Sequence, residues 1–375
     1  MIESADGVSD LFFVVGKPPQ VECFGRLHAY PDASEAAILS ANKTEELANF
    51  LMAGTERLQR DLATHGACDC SYSIPEFARF RVNIFRQNGN HAIVMRKLNS
   101  KIPTMASLNL QPIFKEIVKE KNGLIFVTGA TGSGKTTTLA AMLNDINQNE
   151  EFHIVTLEDP IEFMHQHAKA TFSQRELGRD FSEFSQGLRS ALRQAPKVIL
   201  VGEIRDRDTM EIALTAAETG HVVYSTLHTI NAGQSINRIL GMFGKDEEQQ
   251  VRERLADTLR YVVTQRLISK VGGGRLMINE ILGSNLRTRE ALLLGEADGR
   301  TFQEIIESSN TYGWRSFDQA LIEAFREGLI LEETARIFAT SKSKVSQGLD
   351  AAKKEMRPEE SATPSGFRLA AAHRA

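Results

Sequence analysis

The chain has 375 residues, 42% hydrophobic and 25% charged, with a formal net charge of −4, which supplies cores for two ordinary domains and no basic block for a dedicated nucleic-acid surface. No apolar run approaches the ~18 residues of a membrane span, and no charged segment followed by an apolar core opens the chain, so a cytoplasmic protein without membrane insertion is expected. Cys23, Cys68 and Cys70 are its three cysteines; a Cys-x-Cys pair with no further Cys or His partners is a poor zinc site, and all three read as reduced structural thiols.

Along the chain, "DLFFVVG" reads as a strand, and "TEELANFLMAGTERLQRDLA" carries a helical apolar stripe at Leu47, Leu51 and Leu58. "FARFRVNIFRQNGNHAIVMRKL" alternates with period two: Phe80, Val82 and Ile84 face one way, Arg79 and Arg81 the other, and Asn88-Gly89 supplies a hairpin turn. These elements place residues 1–98 in one mixed α and β domain, and the polar stretch around Pro103 predicts a linker at 99–106.

From residue 107 strands and helices alternate. "GLIFVTG", "FHIVTLE", "KVILVGE" and "HVVYSTLH" are short and apolar throughout, each followed by a helical pattern, as in a parallel sheet covered by helices. The expected class is therefore α/β, with a RecA-like core. Beyond residue 250 the runs "EQQVRERLADTLRYVVTQRLI" and "FDQALIEAFREGLILEETARIFA" predict a helical C-terminal part up to residue 357, and the Glu, Ser, Pro, Thr and Ala of residues 358–375 read as a disordered tail.

"GATGSGKTTT", residues 129–138, lies between an apolar strand and a helix-forming run. Its Gly129, Gly134, Lys135 and Thr136 have the Walker A spacing, with Thr131, Gly132, Ser133 and Thr137 completing the loop. Glycines let backbone N–H groups approach a phosphate, the following helix adds its positive end, the lysine reaches the β- and γ-phosphates, and the Thr136 hydroxyl is a magnesium ligand. ATP and Mg²⁺ are the cofactors this loop calls for. ATP hydrolysis further needs a metal holder and a group that orients or deprotonates water, both expected at carboxyl ends of strands. "TLEDPIEF" offers Glu158, Asp159 and Glu162, read as lying on the loop beyond a strand ended by Pro160; a carboxylate there can take a proton from water. "VILVGEIRD" ends its strand with Glu203, at the Walker B position, where it would hold magnesium, while Gly202 stands where many such enzymes carry an acid. "STLHT" brings His228 to a further strand end, able to hydrogen-bond a phosphate oxygen.

With these motifs, and with "LRSALRQAPKVILVGEIRDRDTMEIALTAAETGHVVYSTLHT" and "VTQRLI", almost the whole chain resembles the secretion ATPase superfamily and, within it, the pilus-retraction or twitching-motility ATPases. The resemblance implies a PAS-like N-terminal domain, a homo-hexameric ring, and a motor at the inner face of the cytoplasmic membrane that works through a pilus platform protein and, indirectly, on pilin. It also implies that Glu162 is the catalytic glutamate, Glu203 the Walker B acid, His228 the His-box histidine, and Arg81 and Arg96 arginines that the N-terminal hairpin sends to the phosphates. Around "SNLRTREALLLGE" the chain departs from the family's retraction motif, keeping Asn285, Leu286, Arg289 and Glu290 in another arrangement. An assembly or secretion ATPase of the same superfamily is the alternative, although such proteins usually carry longer N-terminal domains and a four-cysteine zinc motif. A RecA-like nucleic-acid translocase would need a basic or aromatic-lined channel, for which no cluster is present.

Overall fold

A computed structural model describes residues 1–2, 7–30, 38–75, 77–98 and 101–356; the expected tail at 358–375 and the first two residues of the expected linker lie outside them. The N-terminal part is a six-stranded sheet of β1 (Val8–Phe13), β2 (Gln20–Cys23), β3 (Arg26–Ala29), β4 (Ala67–Ile74), β5 (Ala78–Gln87) and β6 (Asn90–Leu98). Its order is β3-β2-β1-β6-β5-β4, and every neighbour is antiparallel. Asn88 and Gly89 join β5 to β6 at φ of 50° and 77°, the positive values that a two-residue type I′ turn requires.

The apolar stripe read as a single helical run is two helices, α1 (Ala41–Met52) and α2 (Glu56–His65), because Ala53 and Gly54 take left-handed φ of 49° and 72°. Their Ala48, Leu51, Leu58 and Leu62 pack on Phe80, Val82 and Ile84, while the opposite face carries Arg81, Asn83 and Arg96 together with the apolar Phe12, Phe85 and Val94. Across that face the register aligns Asp10, Arg96, Arg81 and Ser71 in one row over four strands.

The second sheet has seven strands in the order β13-β12-β7-β11-β10-β8-β9. β7 (Gly123–Thr128), β8 (His153–Glu158), β9 (Thr171–Glu176), β10 (Val198–Val201) and β11 (Val222–Leu227) run parallel. All residues of β7, β10 and β11 are buried, as unbroken apolar strands in a covered sheet must be. α3 (Ile113–Ile117), α4 (Lys135–Asn149), α5 (Phe184–Ala191), α6 (Arg207–Glu218), α7 (Ala232–Leu240) and α8 (Glu248–Thr258) accompany it.

Here the structure corrects the sequence reading: the run 248–268 is not helical throughout, since α8 ends at Thr258 and β12 (Leu259–Ser269) follows at once. β12 pairs parallel with β7, turns through Gly272 to Gly274, all at positive φ, and returns as β13 (Arg275–Gly283). Val262, Val263, Thr264 and Gln265 are each at most 1% exposed; β-branched residues covered on both faces fit a central strand better than a helix. β9 was missed for the opposite reason, as "TFSQRE" is a polar edge strand without an apolar signature. α9 (Leu286–Leu294), α10 (Phe302–Glu307), α11 (Phe317–Arg326), α12 (Glu332–Phe338) and α13 (Lys342–Met356) form the helical C-terminal part. Phe317, Leu321, Val345 and Leu349 close a separate core over Ile268 and Ile278 at the tip of the β12–β13 hairpin.

Candidate active site

The chain leaves β7 at Thr128, whose hydroxyl donates to Thr264 Oγ1 on β12 at 2.9 Å, and enters the glycine-rich loop. A Cβ on Gly129 (φ 142°) would lie 2.5 Å from the Gln265 carbonyl and 2.6 Å from Ser133 Oγ, so only glycine fits. Gly134, at φ 91°, turns the chain into α4. Lys135 is 8% exposed, and its Nζ donates to the carbonyls of Gly129 at 2.9 Å and Ala130 at 3.1 Å, holding the loop closed around itself. Burial lowers its pKa, while Glu203 and then Glu162 oppose the shift. Ser133 Oγ is buried and makes no hydrogen bond. This cradle of left-handed glycines at a helix N-terminus, with a lysine held inside it, fits a nucleotide phosphate chain.

A cavity of about 410 Å³ opens beside the loop, with Thr131, Gly132, Lys135 and Thr136 on one wall. The carboxyl ends of β8, β10 and β11 form the others, contributing Asp159 and Glu162, Gly202 and Glu203, and Thr226 and His228. Glu203 Oε2 accepts from Arg205 at 2.8 Å, and its Oε1 lies 3.5 Å from His228 Nε2. His228 Nδ1 is 3.5 Å from Thr131 Oγ1, so this ring spans the gap between the acid at the end of β10 and the phosphate loop. Gly202 also has a local reason: a Cβ there would approach the Leu157 carbonyl of β8 to 3.1 Å, and its own carbonyl accepts from Thr226 Oγ1 at 2.7 Å.

The three carboxylates of "TLEDPIEF" do not share one environment. Glu158 is not on the loop, as the sequence reading had it, but is the last residue of β8 and 7% exposed. It accepts from Thr156 Oγ1 at 2.7 Å and Gln174 Nε2 at 3.1 Å, and burial pushes its pKa up to about 7. Asp159 and the half-buried Glu162 follow on the loop, and Glu162 acts electrostatically on Lys135 across the cavity.

The N-terminal sheet also reaches this cavity, through Arg81. Arg96, directly opposite Arg81 on β6, is not brought there: its Nε donates to Asp10 Oδ1 at 2.8 Å, and its side chain is 70% exposed. Thr137 lies on the first turn of α4 outside the cavity wall. Arg205 was missed by the sequence reading, although its place two residues beyond Glu203 was the available signal. Glu176 was missed as well; it ends the unpredicted β9, yet its Oε2 accepts from the Ile161 N–H at 3.2 Å, next to Glu162.

Among known proteins, the family described as Type II/IV secretion system protein matches residues 70–290. The type IV pilus retraction ATPase PilT of Pseudomonas aeruginosa is 40% identical over 333 residues, covering 88% of this chain and 94% of its own. A twitching motility protein of Neisseria gonorrhoeae is 41% identical over 294 residues, 78% of either chain. The crystal structure of the pilus retraction motor PilT with bound ADP superposes with a TM-score of 0.82 at 37% identity, covering 91% of this chain and 96% of that one.

Proposed function

Since the chain belongs to the type II/IV secretion system protein family, we propose that it is an ATP-hydrolysing motor that drives type IV pilus retraction and hence twitching motility. The observation that carries this reading is the convergence of Lys135, Thr136, Glu162, Glu203 and His228 with Arg81 of the other sheet on one cavity. Similarity along nearly the full length of a retraction ATPase supports retraction over assembly or secretion.

Lys135 exchanges the carbonyls of Gly129 and Ala130 for the β- and γ-phosphates of ATP, so that neutral partners of its buried ammonium give way to negatively charged ones. Glu162 accepts the proton of the attacking water. Arg81 adds positive charge to the γ-phosphate from outside the phosphate loop, as an arginine finger does. His228, between Glu203 and Thr131, senses whether that phosphate is present. Thr136 and Glu203 would hold magnesium, which when bound neutralises charge on the phosphate oxygens. Residues 1–98 and 107–357 act as two bodies, closed on ATP and released after hydrolysis. Six copies form the ring, which works in the cytoplasm against a membrane platform protein and through it on pilin. No described helix is long and apolar enough to cross a membrane.

The test is replacement of the gene by the Lys135→Ala variant, with pilus length and withdrawal followed by microscopy. Pili that extend and stay out are expected; normal withdrawal overturns the reading.

A further inference from the structure

A buried carboxylate beside the cavity joins the two sheets. Glu176, at the end of the edge strand β9 and 7% exposed, sends its two oxygens to different bodies. Oε1 accepts from Ser71 Oγ on β4 of the N-terminal sheet at 2.7 Å, and Oε2 accepts from the Ile161 N–H at 3.2 Å. A buried carboxylate is costly unless its lone pairs are bonded, so both contacts are needed to keep it there. The loop beyond β9 touches the N-terminal domain a second time, since a Cβ on Gly178 would lie 2.2 Å from Arg57 Cζ. Near this seam the Arg79 guanidinium feels Glu176 and then Glu158, and its Nη1 is buried without a hydrogen bond.

The two ends of the Glu176 bridge lie next to groups assigned to the chemistry. Ile161 immediately precedes Glu162, and Ser71 is the direct cross-strand neighbour of Arg81. One rigid sheet therefore carries both Arg81 into the nucleotide cavity and Ser71 onto Glu176. A shift of that sheet away from β9 withdraws the arginine and removes one of the bonds that hold Glu176 against the Ile161 peptide.

We propose that Glu176 is a positioning residue that couples the place of the N-terminal sheet to the place of Glu162, so that the base is aligned only while Arg81 is in the cavity. The inference rests on the reading of Glu162 as the base.

The test uses the full chain, with steady-state ATP hydrolysis, binding of a non-hydrolysed ATP analogue and thermal unfolding measured on each variant. Ser71→Ala removes the bond between the sheets and leaves β8, β9 and the phosphate loop untouched. Its kcat is expected to fall about tenfold, inside the ~10²-fold that a misplacement of about 1 Å costs, while KM and analogue affinity stay near parental values and the melting temperature drops modestly, as the loss of one bond to a buried carboxylate requires. Ser71→Thr, which keeps the hydroxyl, restores kcat. In a Glu162→Gln background Ser71→Ala produces little further loss, because both changes act on one group. Parental kcat in Ser71→Ala alongside an inactive Glu162→Gln overturns the inference and leaves the base assignment standing. Loss of affinity instead of kcat, or no rescue by threonine, also overturns it. Parental turnover in Glu162→Gln removes the base assignment, and the inference falls with it.

Discussion

Lys135 and Glu162 face one cavity but are expected to fail differently when altered. Lys135→Ala removes a buried point charge from the phosphates, so both nucleotide binding and turnover are expected to collapse, measurable as loss of ADP binding by calorimetry. Glu162→Gln keeps size and hydrogen bonding, so nucleotide binding is expected to persist while turnover drops by roughly 10² or more. Glu158 is different again, because its environment raises its pKa from 4.5 to about 7 mainly by desolvation. A carboxyl raised in the fold contributes stability that is fully present below the unfolded pKa and lost as pH rises through the folded one. Thermal unfolding from pH 4 to pH 8 is therefore expected to show a decline between about 4.5 and 7 that is smaller in Glu158→Gln by about 3 kcal/mol in the limit, the rest coming from groups such as Glu280, which burial raises likewise. Equal pH slopes in the two proteins would refute it. The loop itself was legible from spacing, since Gly-x4-Gly-Lys-Thr already demands the backbone that Gly129 and Gly134 adopt. The burial of Glu158 was not, because "LEDPIE" gives no sign of which carboxylate turns inward.

At the scale of elements, the phosphate loop is supported by β12, which entered the sequence reading as part of a helix. Thr264 holds Thr128, and Gln265 Nε2 donates to Thr138 Oγ1 of α4 at 2.8 Å. The next residue, Arg266, donates to the Phe338 carbonyl at 3.1 Å and stacks 3.7 Å over the Phe317 ring. Alternation along a strand sends consecutive side chains to opposite faces, so β12 touches the nucleotide loop and the C-terminal helices at neighbouring positions. Phe317→Ala, at a site 1% exposed, is expected to cost about 3–5 kcal/mol as a core truncation. Denaturant unfolding is expected to show the loss, while nucleotide affinity measured below the transition stays near parental; an exposed role for Phe317 would leave the midpoint unmoved. Four of the parallel strands, β7, β8, β10 and β11, were readable because continuous apolar runs have few other uses. β12 was not, since "LADTLRYVVTQRLI" satisfies a helical stripe as well as a buried strand, and pairing with β7 decides between them.

For the whole molecule, the proposed function makes Arg81, which lines the cavity from the N-terminal sheet, the contact through which ATP would hold the two bodies together. A ligand shifts a conformational equilibrium only through contacts that differ between its states, and on that proposal Arg81 would meet phosphates held by the other body. Arg81→Ala is expected to leave melting nearly unchanged, since the side chain is exposed, while turnover falls steeply. Distances between paired spin labels on the two bodies would no longer shorten with an ATP analogue; full closure at parental turnover would show Arg81 to be a surface residue. Arg96→Ala is expected to have the smaller effect, because Asp10 holds Arg96 outside the cavity.

The chain by itself determined the phosphate loop, the parallel strands and the residues at their ends, because spacing and apolar continuity are local properties that few other structures satisfy. Strand pairing decided what is not local: the fate of residues 259–269, the inward turn of Glu158, the different places of Arg81 and Arg96, and the meeting of Ser71 with Glu176 across 105 residues. Each depends on which segments lie side by side, and hydrogen bonding between distant strands carries no signature within either one.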